Sequence, residues 1–110
     1  MAVDQNYLDY VVEQLSAFGE FEHKKMFGGV GFFRGKVFFA GIMDGVFRLK
    51  ADAQTIPDFE AYGMTPWSAK GRKMTMPYWE VPEEIMADPA KLAEWADRAF
   101  EVALRTQKKK

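Results

Sequence analysis

The feature that most constrains this chain is the segment from Val30 to Lys50, where short apolar runs alternate with tight-turn signals. Ile42-Met43 and Val46-Phe47 flank Asp44-Gly45, while Phe32-Phe33 and Val37-Phe38-Phe39 flank Arg34-Gly35. Asp-Gly is the stronger signal, because a type I′ hairpin needs positive φ at both central residues. Pairing across it sets Met43 against Val46, Ile42 against Phe47, Gly41 against Arg48 and Ala40 against Leu49. With two-residue loops at both turns, Phe33, Phe38, Ala40, Ile42, Phe47 and Leu49 share one face. Val30, Phe32, Val37, Phe39, Met43, Val46, Arg48 and Lys50 share the other. The first is the expected core face, since its only charge is Lys36 at the hairpin tip.

Helical periodicity brackets these strands. Asp4 is a suitable N-cap for a helix in which Tyr7, Val11, Leu15 and Phe18 recur at three- to four-residue spacing, with Leu8 and Val12 widening the stripe and Gly19 as the stop. A short helix is expected between Asp52 and Gly63, entered around Pro57 and carrying Phe59 and Tyr62. Met64 to Lys73 reads as polar and turn-like, and Met74 to Val81 as a strand in which Pro77 suits an edge or a bulge. The last helix is expected to start at Asp88-Pro89, a cap followed by the residue that lacks no required donor. Its apolar stripe is Leu92, Trp95, Ala96, Ala99, Val102 and Ala103, and Gln107 to Lys110 is expected to be a flexible basic tail.

A length of 110 residues suits a single domain, residues 1–110, and 48% apolar against 28% charged residues can fill one core without a metal or a disulfide. The chain contains no cysteine, which excludes disulfides, thiolate nucleophiles and cysteine-ligated metal centres. Met1-Ala2-Val3-Asp4-Gln5 leads directly into the first helical pattern without a basic and then apolar leader, so a cytoplasmic protein without a membrane span is expected. The 15 basic residues are matched by 16 acidic ones, so any nucleic-acid affinity needs the fold to gather cations on one side. Lys24, Lys25, Arg48, Lys70, Arg72 and Lys73 are the candidates for such a patch.

Residues able to do chemistry are sparse. His23 is the single histidine and Glu83-Glu84 the densest carboxylates, and neither has the spacing of a metal site or an acid-base pair. Met26-Phe27-Gly28-Gly29-Val30-Gly31 is glycine-rich but lacks the Lys-Ser/Thr of a phosphate loop, and glycine here reads as a turn or a close backbone approach. No catalytic, cofactor-binding or metal-ligating residues are assigned, and no cofactor is expected.

The segments Lys25-Met26-Phe27-Gly28-Gly29-Val30-Gly31-Phe32-Phe33, Phe39-Ala40-Gly41-Ile42, Gly45-Val46-Phe47-Arg48-Leu49-Lys50 and Met76-Pro77-Tyr78-Trp79-Glu80-Val81-Pro82 together resemble the N-terminal domain of the TfoX/Sxy competence regulators. The resemblance runs from about Tyr7 to Ala103. It implies an α+β fold, an antiparallel sheet with flanking helices in the approximate order α-β-β-β-α-β-β-α. It adds a strand near Glu22 to Met26 and another near Pro66 to Ala69. The hallmark positions it implies are Met26, Phe27, Gly28 and Gly29, with Tyr78, Trp79, Glu80, Val81 and Pro82. The separate C-terminal domain of the longer regulators has no counterpart in these residues.

Three function classes follow from these readings. The first is a non-enzymatic regulatory or protein-interaction module of the competence-regulator kind; the second is direct nucleic-acid binding through the basic residues named above; the third is a small-molecule enzyme. A homodimer or a docked protein partner is expected on the face formed by Val30, Phe32, Val37, Phe39, Met43 and Val46, because so many apolar residues do not suit a face washed by water.

Overall fold

A computed structural model describes residues 4–26, 28–68 and 75–108. The chain runs α1 (Gln5–Gln14), a 3₁₀ turn (Leu15–Phe18), β1 (Glu22–Met26), β2 (Gly29–Arg34), β3 (Val37–Met43), β4 (Val46–Lys50), α2 (Ile56–Ala61), β5 (Pro66–Ser68), β6 (Thr75–Glu80), α3 (Glu83–Met86) and α4 (Pro89–Lys108). The fold is α+β, with one open antiparallel sheet in the order β1-β2-β3-β4-β6-β5. β1 is the strand expected near Glu22 to Met26, and with it four strands precede α2 where the approximate order has three; the short α3 before the last helix is additional.

The caps form where the sequence places them. Asp4 Oδ1 accepts the Asn6 N–H at 3.0 Å, and Asp88 Oδ1 accepts those of Ala90 and Lys91 at 3.2 and 3.3 Å. Asp44 and Gly45 have φ of 56° and 77°, as the primed turn requires, and the β3–β4 register from Met43↔Val46 to Ala40↔Leu49 is the expected one. Pro77 lies in an interior strand, at the place where the β5–β6 register jumps from Pro66↔Trp79 to Trp67↔Met76. The missing N–H of Pro77 thus falls in a bulge, while its carbonyl accepts the Ala51 N–H at 2.9 Å.

The β2–β3 hairpin departs from expectation in two ways. Its loop is Gly35-Lys36, with Arg34 paired to Val37, and a bulge lets the ladder pass from Phe33↔Phe38 to Phe32↔Ala40 with Phe39 as the extra residue. The loop shift moves the pairing by two residues and so leaves the faces as expected; the bulge alone reverses Val30, Phe32, Phe33, Val37 and Phe38 relative to Ala40 and sets Phe39 on the same side as Ala40. Val30, Phe32 and Phe39 are therefore core residues, at 2%, 0% and 0% exposure, and Val37 joins them. Phe33 and Phe38 stand on the opposite face, half-buried.

All the helices pack on one side of the sheet. The α4 stripe of Leu92, Trp95, Ala96, Ala99, Val102 and Ala103 is buried throughout, and α4 crosses β3 and β4 beside the 3₁₀ turn. The Phe39 ring sits 4.9 Å from that of Phe18 and 6.2 Å from that of Phe100, and Phe59 stands edge-on to Trp95 at 4.9 Å. Arg105 pairs with Asp52 at 2.7 Å and Arg98 with Asp58, tying α4 to the region of α2. Among the described residues no helix is long and apolar enough to cross a membrane.

Candidate functional site

The second face of the sheet carries side chains that the helices do not cover. Strand alternation sends Met26, Phe33, Phe38, Met43 and Val46 to this face, and each is half-buried. Its floor is glycine: Gly31 and Gly41 are direct cross-strand partners. A Cβ on Gly31 would stand 2.5 Å from Met26 Sδ and 2.9 Å from Phe38 Cε1, and one on Gly41 would stand 2.7 Å from Met43 Cε. Bare backbone at these positions lets the methionines and phenylalanines lie down on the sheet instead of standing off it. Phe33 and Phe38 pair at 5.2 Å between ring centres, and Phe38 continues to Tyr78 of β6 at 5.5 Å.

Charge on this face sits to either side of the apolar strip. Lys24 opposes Gly31 from the edge strand, and Arg48 opposes Glu80 between β4 and β6. Arg48 is only 9% exposed and its Nε reaches the Met43 carbonyl at 3.4 Å. Burial lowers its pKa, with the Glu80 carboxylate acting in the opposite sense. Burial also lowers the pKa of Lys50, whose ammonium lies 5.9 Å from the Tyr78 ring, and pushes the Tyr78 phenol up to about 12. Trp67 of β5 donates its indole N–H to Asp44 at 2.8 Å, linking an edge strand to the β3–β4 turn.

The residues singled out in the sequence divide accordingly. Of the expected interface residues, Met43 and Val46 keep their place on the second face, whereas Val30, Phe32, Val37 and Phe39 are corrected to the core by the bulge. Phe33 and Phe38 replace them. Of the basic candidates, Lys24 and Lys25 are neighbours in a strand and point to opposite faces, and Arg48 is buried; Lys70, Arg72 and Lys73 lie outside the described residues. The described cations do not converge.

The hallmark positions have structural work. Met26 covers Gly31, Gly28 turns the chain at φ 75°, and a Cβ on Gly29 would run into the Ile42 carbonyl oxygen. Phe27 lies outside the described residues. Tyr78 and Glu80 belong to the second face, Trp79 packs on Phe59 at 6.0 Å, and Val81 and Pro82 are buried where the chain leaves the sheet for α3. Of the tail expected at Gln107 to Lys110, residues 107 and 108 are the last of α4, and residues 109 and 110 lie outside the described residues.

His23 is exposed on β1, its ring 5.8 Å from that of Phe32, and Glu83 and Glu84 are exposed in the first turn of α3. Among the described residues no cluster of three or more histidine, aspartate or glutamate side chains could hold a metal. A cavity of about 10 Å³ lies beside Phe59 and Trp95, and an open depression of about 390 Å³ is bounded by Gly19, Glu20, Phe21, Glu22, Arg34 and Gly35. The Arg34 guanidinium in that depression is already held by the Phe18 and Glu20 carbonyls at 2.7 and 3.0 Å.

A single antiparallel sheet with its helices on one side and an apolar, glycine-floored second face defines an open-sheet α+β domain. The model of the TfoX N-terminal domain matches residues 13–103, and the chain belongs to the TfoX N-terminal domain family. That family is non-enzymatic and is associated with regulatory proteins of competence. No curated protein matches the chain.

Proposed function

We propose that the chain is a cytoplasmic protein-interaction module of competence-type regulation, which docks a protein on the second face of its sheet. The observation that carries this reading is the layer of Met26, Phe33, Phe38 and Met43 lying flat over Gly31 and Gly41. Apolar side chains on a level sheet face, with the helices on the other side, make a surface that another protein can dry. Methionine and phenylalanine suit such a contact, because both are enriched at interfaces and adapt to a facing surface. The absence of cysteine suits a reducing compartment.

Direct DNA contact has no comparable support. Lys24 and Lys25 point apart and Arg48 is buried, so the described cations form no stripe to track phosphates. Titration of fluorescent mixed-sequence duplex DNA at physiological salt tests the reading by anisotropy. The expected result is no binding tighter than about 1 μM, and tighter, salt-dependent binding would overturn the proposal.

A further inference from the structure

We infer that the protein docked on this face is a second copy of the same chain, packed sheet against sheet about a two-fold axis that runs along β3. The inference rests on the reading of the second face as a protein-docking surface and names its occupant. One transverse row crosses that face: Lys24 in β1, Gly31 in β2, Gly41 in β3, Arg48 in β4 and Glu80 in β6 are successive cross-strand partners. The row has a cation at its β1 end, a carboxylate at its β6 end, and Gly31, Gly41 and the buried Arg48 between.

In the sheet order β3 lies midway between β1 and β6, with β2 and β4 on either side. A two-fold along β3 therefore lays β1 of each copy over β6 of the other and brings each Lys24 to the facing Glu80, twice by symmetry. The same axis sets Arg48 over the facing Gly31, which is covered by the apolar Met26 and Phe38, so no like charge opposes it. Moving the axis to lie between β2 and β3 would put Lys24 over Arg48, a clash of like charges that disfavours this alternative.

The apolar layer fits between these charges. With Gly31 and Gly41 beneath them, Met26, Phe33, Phe38 and Met43 form a low relief, and two such faces can approach to the roughly 10 Å spacing of packed sheets. Strands about 4.8 Å apart and about five residues long make the area from β1 to β6 roughly 20 by 17 Å, before side-chain relief is added. Two copies give roughly 700 Å² of such area, and side-chain relief brings the total toward about 1,000 Å², which a specific interface has to clear, at the small end of the scale.

Sedimentation equilibrium of the full chain from about 5 to about 500 μM, a range that spans dissociation of an interface at the small end of the scale, tests the inference. The expected result is a mass that rises to twice that of one chain. Lys24→Glu and Glu80→Lys each weaken the dimer about tenfold, and the double reversal restores it to within about threefold. Phe38→Asp abolishes it. Should Phe38→Asp lose the native circular dichroism spectrum, the exposed Lys24→Glu carries the test. A monomer at every concentration, or a dimer indifferent to the charge reversals, overturns the inference. A monomer that leaves duplex DNA unbound removes the second copy alone, whereas tight DNA binding removes the docking reading as well.

Discussion

The guanidinium of Arg34 lies 3.7 Å from the centre of the Phe18 ring while its Nη2 donates to the Phe18 carbonyl at 2.7 Å. Its Nε donates to the Glu20 carbonyl at 3.0 Å, so one side chain of β2 closes the open end of the 3₁₀ turn and fixes the approach of the chain to β1. Arg34→Ala removes a cation–π contact and two charge-assisted bonds, an expected loss of about 2–3 kcal/mol. Arg34→Lys recovers less than half, because an ammonium cannot fork and stack at once. Urea midpoints at unchanged m-value measure both.

The parts of this fold legible in the sequence are those that local chemistry decides. Asp44-Gly45 dictates its own turn and hence four register pairs, Asp88-Pro89 starts α4, and the stripe from Leu92 to Ala103 identifies the buried side of that helix. The β2–β3 hairpin was not decided locally. Arg34-Gly35 and Gly35-Lys36 are nearly equivalent as loops, and the choice falls to Arg34, which as a strand residue reaches Phe18. The bulge at Phe39 likewise answers to tertiary packing, since Phe18 and Phe100 take its ring. The second face was legible as an apolar excess but not in its membership. The spacing of Gly29, Gly31 and Gly41 in two adjacent strands was the signal that could have located it, because glycine inside a strand marks a close approach.

Gly29 illustrates that signal. A Cβ there would run into the Ile42 carbonyl oxygen, which is backbone in the neighbouring strand and cannot swing aside. Gly29→Ala is expected to cost more than about 2 kcal/mol, whereas Gly31→Ala meets mainly the ends of Met26 and Phe38 and costs about 1–2 kcal/mol. Thermal unfolding of the two variants should rank them in that order.

The bulge makes a sharp prediction at two adjacent phenylalanines. Phe39 is fully buried among Phe18 and Phe100, and Phe38 is half-buried on the second face. Phe39→Ala is expected to cost about 3–5 kcal/mol and Phe38→Ala about 1–2 kcal/mol. A strand without the bulge would reverse the ranking, so denaturant unfolding of the pair reads the register directly.

Alkaline pH should destabilise the fold through Tyr78. Its phenol is pushed from an ordinary value of 10 up to about 12 by burial, and the Tyr7 phenol, which accepts the Phe47 N–H at 2.9 Å, is raised for the same reason. In the unfolded chain Tyr78 releases its proton near pH 10, while the folded chain holds it to about pH 12. Below pH 10 both states are protonated and the contribution of Tyr78 is level. Between those values the unfolded state alone gains by ionising, so stability falls as the pH rises through the interval. Lys50 beside it works in the opposite sense: burial lowers its pKa, the folded chain loses that proton first, and high pH relieves a buried charge. Tyr78→Phe removes the tyrosine contribution and leaves that of Lys50. The stability difference between wild type and Tyr78→Phe is therefore expected to be flat from about pH 7 to about pH 9 and to move against the wild type by about 1 kcal/mol at about pH 11. Urea unfolding at those pH values measures it, and a difference that stays flat to pH 11 would mean that the Tyr78 hydroxyl is solvated in the folded chain.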